Sequence, residues 1–286
     1  MHVRKIGLFD IINTAIMLGI LIIMLYPMLN VLAVSFSGVT KLGLGLLPQH
    51  FTFKNYQIVF NNRALWFGFG NTLIRVGLGV VCTLIITLLM AYPLSKKALP
   101  FKKAITFFVV FTMFFNGGMI PNYIVIRSLG LIDSRLALIL PRLVDTFALI
   151  VMRNFLMTIP ESLEEAAKID GASYFTILFK IIVPISIPII ATVVLWTAVW
   201  HWNSWFDAMI YIQSQSKQIL QLILRRIVIE GTASAMSLSM DDANTVANPD
   251  MIKATTIIVS TLPIVCSYPF LQKYFVKGII VGSVKE

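Results

Sequence analysis

The chain has 286 residues, of which 58% are hydrophobic and only 13% charged, with a mean hydropathy of +0.86. Soluble domains carry about 25% charged residues and disordered chains are poor in apolar ones, so neither class fits this composition. The net charge of +10 does not make a nucleic-acid binder, because most basic residues border apolar runs, where such charges orient helices and meet anionic headgroups.

At about 20 residues per transmembrane helix, the apolar content allows about six spans. The expected fold is all-α: a polytopic membrane protein with six transmembrane helices, forming one transmembrane domain over 1–286. The first run, 11–36, carries no charge and follows His2, Arg4, Lys5 and Asp10. It is too long for a signal-peptide core of about 7–15 residues, so it reads as span 1. Span 2 covers 71–94 and is followed by Lys96, Lys97, Lys102 and Lys103 around Pro100. Span 3 starts at Ala104, runs to about Phe115, and is interrupted by Asn116, Gly117, Gly118 and Pro121. Such a break is tolerated at membrane depth only where protein or a watery cavity shelters the backbone. Span 4, 135–155, contains Arg142 and Asp145; span 5 covers 180–200, and span 6 covers 255–274.

Six spans put both ends on one side of the membrane. The basic residues divide almost evenly between the sides, but the four lysines between spans 2 and 3 share one short loop, which reads as cytoplasmic, with both ends. The segments 37–70 and 201–253 are then extracytoplasmic. Within the second, 218–230 suits an amphipathic helix, lying at the interface or capping the bundle, and 231–249 reads as a polar loop.

Catalytic and cofactor signatures are missing. No phosphate-cradling P-loop and no dinucleotide fingerprint occurs. His2, His50 and His201 lie far apart, Cys82 and Cys266 form no C-x-x-C pair, and no nucleophile elbow is present. The chain reads as a non-enzyme, without metal or cofactor of its own.

The densest signal lies at 158–184. Thr158 and Glu161 have capping-box spacing, Pro160 sits in a first turn, and acidic residues crowd the positive helix end. Gly171 is placed to end that helix, and a second helical stretch runs from Ser173 to Pro184. Ala166 and Ala167 give a small-residue face that another protein can approach, beside the apolar Leu163 and Ile169. On these residues alone, an amphipathic connector resting on headgroups is as good a reading.

Glu165-Ala166-Ala167, then Gly171, Ile181, Val183 and Pro184, at this spacing, resembles the EAA signature of binding-protein-dependent ABC importer permeases, departing only in Val183 where leucine is usual. Further carriers are 116–121, 129–133 and 272–278, and the chain is similar to the carbohydrate-uptake permeases that include the second membrane subunit of the maltose importer. The wording of 116–121 and 200–205 resembles importers of acidic oligosaccharides such as alginate.

The resemblance implies a subunit in a bacterial cytoplasmic (inner) membrane that forms half of a sugar or oligosaccharide pathway. Its implied partners are a second, different permease subunit, two ATPase subunits that carry ATP and magnesium, an extracytoplasmic sugar-binding protein and membrane lipid, but no nucleic acid. ATPase docking falls on Glu165, Ala166, Ala167, Asp170 and Gly171, and 278–286 could also reach the ATPases. The pathway candidates are Arg142, Asp145, Asn116, Trp200 and Asn203. Arg142 and Asp145, three apart on one helix face with Arg153 nearly aligned, form either a structural pair or part of a polar pathway. Trp196, Trp200, Trp202 and Trp205, beside His201, Asn203 and Asp207, form either an interfacial belt or a sugar platform, with Trp200 as the best pathway residue. The competing function is an ion-coupled secondary transporter, which would place broken helices at corresponding points of two repeats.

Overall fold

The computed structural model describes residues 7–38, 45–229 and 249–283, with the side chains of the last helix described to Cys266. Those residues are mostly helical and contain no strand, only an isolated bridge between Ser37 and Phe51. A chain shielded from water has to close its backbone hydrogen bonds within each segment, and helices do so. The described residues fall into two compact units, one of 67–222 with the residues from 263, the other of the residues up to 66 with 223–262.

In the second of these units, α1 (Leu8–Ser35) opens where the Asp10 carboxylate accepts the Gly7 N–H at 2.9 Å. Nearly all its apolar side chains, from Leu8 to Leu32, are exposed within this chain, as suits a helix whose solvent is lipid or another subunit. The chain then turns through an aromatic knot in which Phe36 stacks on Phe51 at 5.3 Å and lies 4.8 Å from Tyr56. Tyr56 belongs to α2 (Lys54–Asn61), whose Asn55 side chain donates to the carbonyls of Ser35 and Ser37 at 3.1 and 2.9 Å. The Thr255 hydroxyl also donates to the Ser35 carbonyl, at 3.2 Å.

The larger unit takes most of α3 (Arg63–Ser95). This helix starts earlier than the expected 71 because the Asn62 side chain accepts the Ala64 N–H at 2.9 Å, a local cap that precedes the apolar run. It is followed by α4 (Lys102–Phe114) and α5 (Met119–Ser128), bent by 110° from each other. The bend falls on the expected break: Asn116 Oδ1 accepts the Gly118 N–H at 3.0 Å, and Gly118 has φ +85, which glycine adopts without strain.

The continuous helix expected over 135–155 is not formed. Two short 3₁₀ turns, Arg135–Leu138 and Leu140–Arg142, precede α6 (Thr146–Leu156), and Asp145 is the N-cap of α6, accepting the Ala148 N–H at 3.1 Å. Pro141 removes a backbone donor and Asp145 offers the backbone a side-chain alternative, and together they outweigh the apolar run. Then come α7 (Glu161–Ile169), α8 (Tyr174–Ile185, with a π turn at Leu178–Ile182) and α9 (Ile187–Asn203). The span expected over 180–200 is therefore split, its two parts meeting at 84° around Ser186 between Pro184 and Pro188. Two more helices, α10 (Phe206–Tyr211) and α11 (Leu220–Ile229), fill much of the expected segment 201–253. Leu220 and Leu222 of α11 are buried, which favours the packed-helix alternative for 218–230. The loop expected over 231–249 lies outside the described residues apart from Pro249, which opens the C-terminal helix (Pro249–Ser283).

The main core joins α3, α6, α8 and α9 through Ala91, Leu149, Met152, Ile177, Ile182 and Val193. A second core gathers Ile126, Leu138, Ala208, Tyr211, Ile219 and Leu222. Among the described residues, α1, α3 and Pro249–Cys266 are long and apolar enough to cross a membrane, and the two bent pairs raise the number to as many as five.

Candidate functional site

The segment that follows α6 folds into a helix, a tight turn and a second helix. The expected capping box does not form, because the Thr158 hydroxyl donates to the Phe155 carbonyl at 2.7 Å and Pro160 takes the N-cap position of α7. The other end is as expected. Gly171 has φ +79, its N–H bonds the Lys168 carbonyl at 3.0 Å, and the Ala172 N–H bonds the Ala167 carbonyl at 2.9 Å. These two bonds are the Schellman pair, which closes a helix on a left-handed residue. Ser173 then caps α8, its hydroxyl accepting the Thr176 N–H.

The residues expected to dock an ATPase do not all face one way. Glu165, Ala166, Asp170 and Gly171 are exposed, and Ile169 is 87% exposed, whereas Ala167 is buried in the main core. The inner face of α7 is carried by Ala167 and Glu164, three residues apart. Glu164 is 5% exposed; one of its oxygens pairs with Lys96, and the other accepts the Tyr92 hydroxyl at 3.2 Å. A second pair, Lys97 to Glu161 at 3.0 Å, lies on the surface. Sequence reasoning read these lysines only as orienting charge and missed Glu164. The available signal was its i,i+3 spacing to an inward alanine.

The pathway candidates divide as well. Arg142 and Asp145 do pair, at 2.9 Å, although on a 3₁₀ turn and an N-cap and not on one helix face. The Arg142 guanidinium lies 4.5 Å from the centre of the Trp200 ring, a cation–π contact, with Arg75 at 5.6 Å. Arg75, unsuspected from the sequence, is buried. It makes a two-pronged ion pair with Asp207 and donates to the Ser204 carbonyl at 3.3 Å and to His201 Nδ1 at 3.4 Å. His201 and Asp207 are thus engaged with Arg75. Asn116 and Asn203 bond their own neighbourhoods, Asn203 donating to the Val199 carbonyl at 2.9 Å. The four tryptophans disperse: Trp196 packs on Phe147, Trp202 on Phe69 and Trp205 on Phe206, which leaves Trp200 with the two arginines.

A third polar knot holds Asp133, at φ +58. Its carboxylate accepts from Lys217 at 2.8 Å, from the Ser214 hydroxyl and from the N–H groups of Gln213 and Ser214 at 3.0 and 2.8 Å. Lys217 first, then Ser214 and the backbone, hold this carboxyl well below the usual carboxylate range.

No protein-family model matches the chain. The polygalacturonan/rhamnogalacturonan transport system permease protein YtcP of Bacillus subtilis is 39% identical over 98% of this chain and 99% of its own length. Protein LplC of the same organism is 39% identical over 100% of this chain and 98% of its own. Among solved structures, a bacterial ABC transporter involved in the import of the acidic polysaccharide alginate has a chain that superposes with a TM-score of 0.85. That chain is 30% identical, and the match covers 96% of this chain and 99% of the other.

Proposed function

Since the chain belongs to the permease subunits of carbohydrate ABC importers, we propose that it forms half of a pathway for acidic oligosaccharides and takes its drive from ATPases docked on the outer face of α7. It is a multi-pass membrane protein and a transport subunit, not an enzyme. The ion-coupled alternative falls away with the family. In this reading the spans are six: α1, α3, the α4–α5 pair, the segment ending in α6, the α8–α9 pair and the C-terminal helix, with both ends cytoplasmic in a bacterial inner membrane. The partners are a second, different permease chain, two ATPase subunits that bind ATP and magnesium, and an extracytoplasmic sugar-binding protein.

The observation that carries the docking reading is the outer face of α7: Glu165, Ala166, Ile169, Asp170 and Gly171 stand exposed on a helix whose inner face is anchored by Glu164 and Ala167. A rigid element with an open apolar and acidic face can take up motion delivered across a protein interface. Gly171→Val forces a β-branched residue into the left-handed region, at a cost of about 1–2 kcal/mol, and undoes the Schellman turn. The variant should insert normally but copurify with less ATPase in mild detergent. Wild-type ATPase recovery and uptake would refute the docking assignment.

The acidic-substrate reading is supported by Arg142, which makes one hydrogen bond to Asp145 while its side chain stays 43% exposed. Asp145 in turn uses its other oxygen on the Ala148 N–H. A guanidinium laid against an aromatic ring with donors to spare is suited to a carboxylate, which it can bind in forked fashion.

A further inference from the structure

We propose that Tyr92, Lys96 and Glu164 form a transmission joint that makes α7 and the end of α3 move as one body, so that force received on α7 drives a transmembrane span directly. The proposal rests on the reading of α7 as the ATPase-contacting element and adds where the motion goes next.

The joint is built from groups of different kinds. Glu164 divides its two oxygens between the Lys96 ammonium and the Tyr92 hydroxyl. The ammonium also lies 4.4 Å from the centre of the Tyr92 ring, which closes a three-membered arrangement of ion pair, hydrogen bond and cation–π contact. The Lys96 side chain is 28% exposed and that of Glu164 only 7%, so water competes weakly for this pair. Apolar packing backs it up: Ala167, one turn further along α7, enters the same core as Leu88, Ala91 and Leu94 of α3.

The α3 end of the joint is held independently. The Arg153 side chain donates to the Leu94 carbonyl at 3.1 Å, and the Lys102 ammonium donates to the carbonyls of Ser95 and Lys96 at 3.2 and 3.0 Å. These cations occupy the helix end, where unpaired carbonyls and the macrodipole favour positive charge. The last turn of α3 therefore cannot fray when α7 is pulled, and a displacement of Glu164 is passed along the helix. The exposed pair between Lys97 and Glu161, 83% and 59% exposed, is too well hydrated to carry load and serves as an internal control.

The test uses the complete importer, with its second permease, ATPases and binding protein, reconstituted in proteoliposomes, and reads sugar transported per ATP hydrolysed. Glu164→Gln and Lys96→Met should each lower that ratio about tenfold while ATPase copurification is unchanged, and the exchange Lys96→Glu with Glu164→Lys should recover a large part of it. Lys97→Met should leave the ratio unchanged. In a variant lacking Cys82 and Cys266, cysteines introduced at positions 96 and 164 and bridged by a short bifunctional thiol reagent should support transport, since a joint that moves as one body is not blocked by being locked. Wild-type ratios in both single variants, or transport abolished by the bridge, would overturn the proposal. Loss of ATPase from Glu164→Gln would overturn it too, since Glu164 would then shape the docking face and not pass motion. Failure of the docking reading itself is separate: ATPase would then stay bound to Gly171→Val, whatever the Lys96 and Glu164 variants do.

Discussion

Replacing one partner of the Arg75–Asp207 pair should be more damaging on one side than on the other. The Arg75 side chain is 2% exposed and that of Asp207 22%. Breaking a buried pair by removing one partner costs about 3–5 kcal/mol, because the remaining charge is left without its counter-ion. In Arg75→Met the orphan is Asp207, which water reaches and which keeps a bond from the Ala208 N–H at 2.9 Å, so the cost should sit at the lower end. In Asp207→Leu the orphan is a buried guanidinium left with the Ser204 carbonyl and His201, and the cost should approach the upper end. Because each kcal/mol corresponds to about 2–4 °C in chains of this size, losses of about 6–20 °C in apparent melting temperature follow. The double variant Arg75→Met with Asp207→Leu removes both charges and should recover most of the loss, because an apolar pair of similar volume carries no desolvation cost. The assay is thermal unfolding of a detergent-solubilised fluorescent fusion, followed by size-exclusion chromatography. Arg75→Met proving as damaging as Asp207→Leu, or a double variant as damaged as the sum of the singles, would refute this account.

Gly79→Ala should destabilise through a single methyl group, since a Cβ there would stand 2.3 Å from His201 Nε2 and 2.6 Å from Cδ2. Overpacking of this kind costs about 1–3 kcal/mol, and adding His201→Ala should relieve it; persistence of the defect in that double variant would point elsewhere. The depressed Asp133 carboxyl makes stability depend on pH in one direction: its contribution is complete above the unfolded carboxylate value of about 4 and is lost as pH falls toward the lower folded value. Wild type should therefore exceed Asp133→Asn in acid-unfolding curves by a constant margin from neutral pH down to about 4, with the margin shrinking only below that. A margin that already closes between pH 7 and 5 would contradict the Lys217 and Ser214 account.

The helices were legible wherever an apolar run and a local stop signal agreed, as at Gly118 and Gly171, where a left-handed residue does locally what the fold needs. The misreadings came where those signals disagreed. Pro141 with Asp145, and Pro184 with Pro188, are plain in the sequence, but the long apolar runs around them outweighed them in reading 135–155 and 180–200 as unbroken. The polar clusters were legible only where partners are near neighbours in sequence, as for Arg142 and Asp145. Arg75 finds Asp207 132 residues away, and Lys96 finds Glu164 68 residues away. No periodicity announces such pairings, because only the packing of α3 against α7 and α10 brings them into reach. Trp200 stood out for its place in a row of tryptophans, yet the feature that sets it apart, its contact with two guanidiniums, comes from elements outside that row.

The angle between α8 and α9 has a mechanical consequence. With the two arms at 84°, a displacement along Tyr174–Ile185 has almost no component along Ile187–Asn203 and emerges there as a sideways shift. The corner is not a loose hinge: Ser186 is fully buried, and its N–H is shared between the carbonyls of Ile182 and Val183 at 2.9 and 3.1 Å. A stiff elbow of this kind carries a stroke parallel to one arm into travel across the other. Trp200, near the far end of the second arm, is therefore carried sideways by a stroke along Tyr174–Ile185.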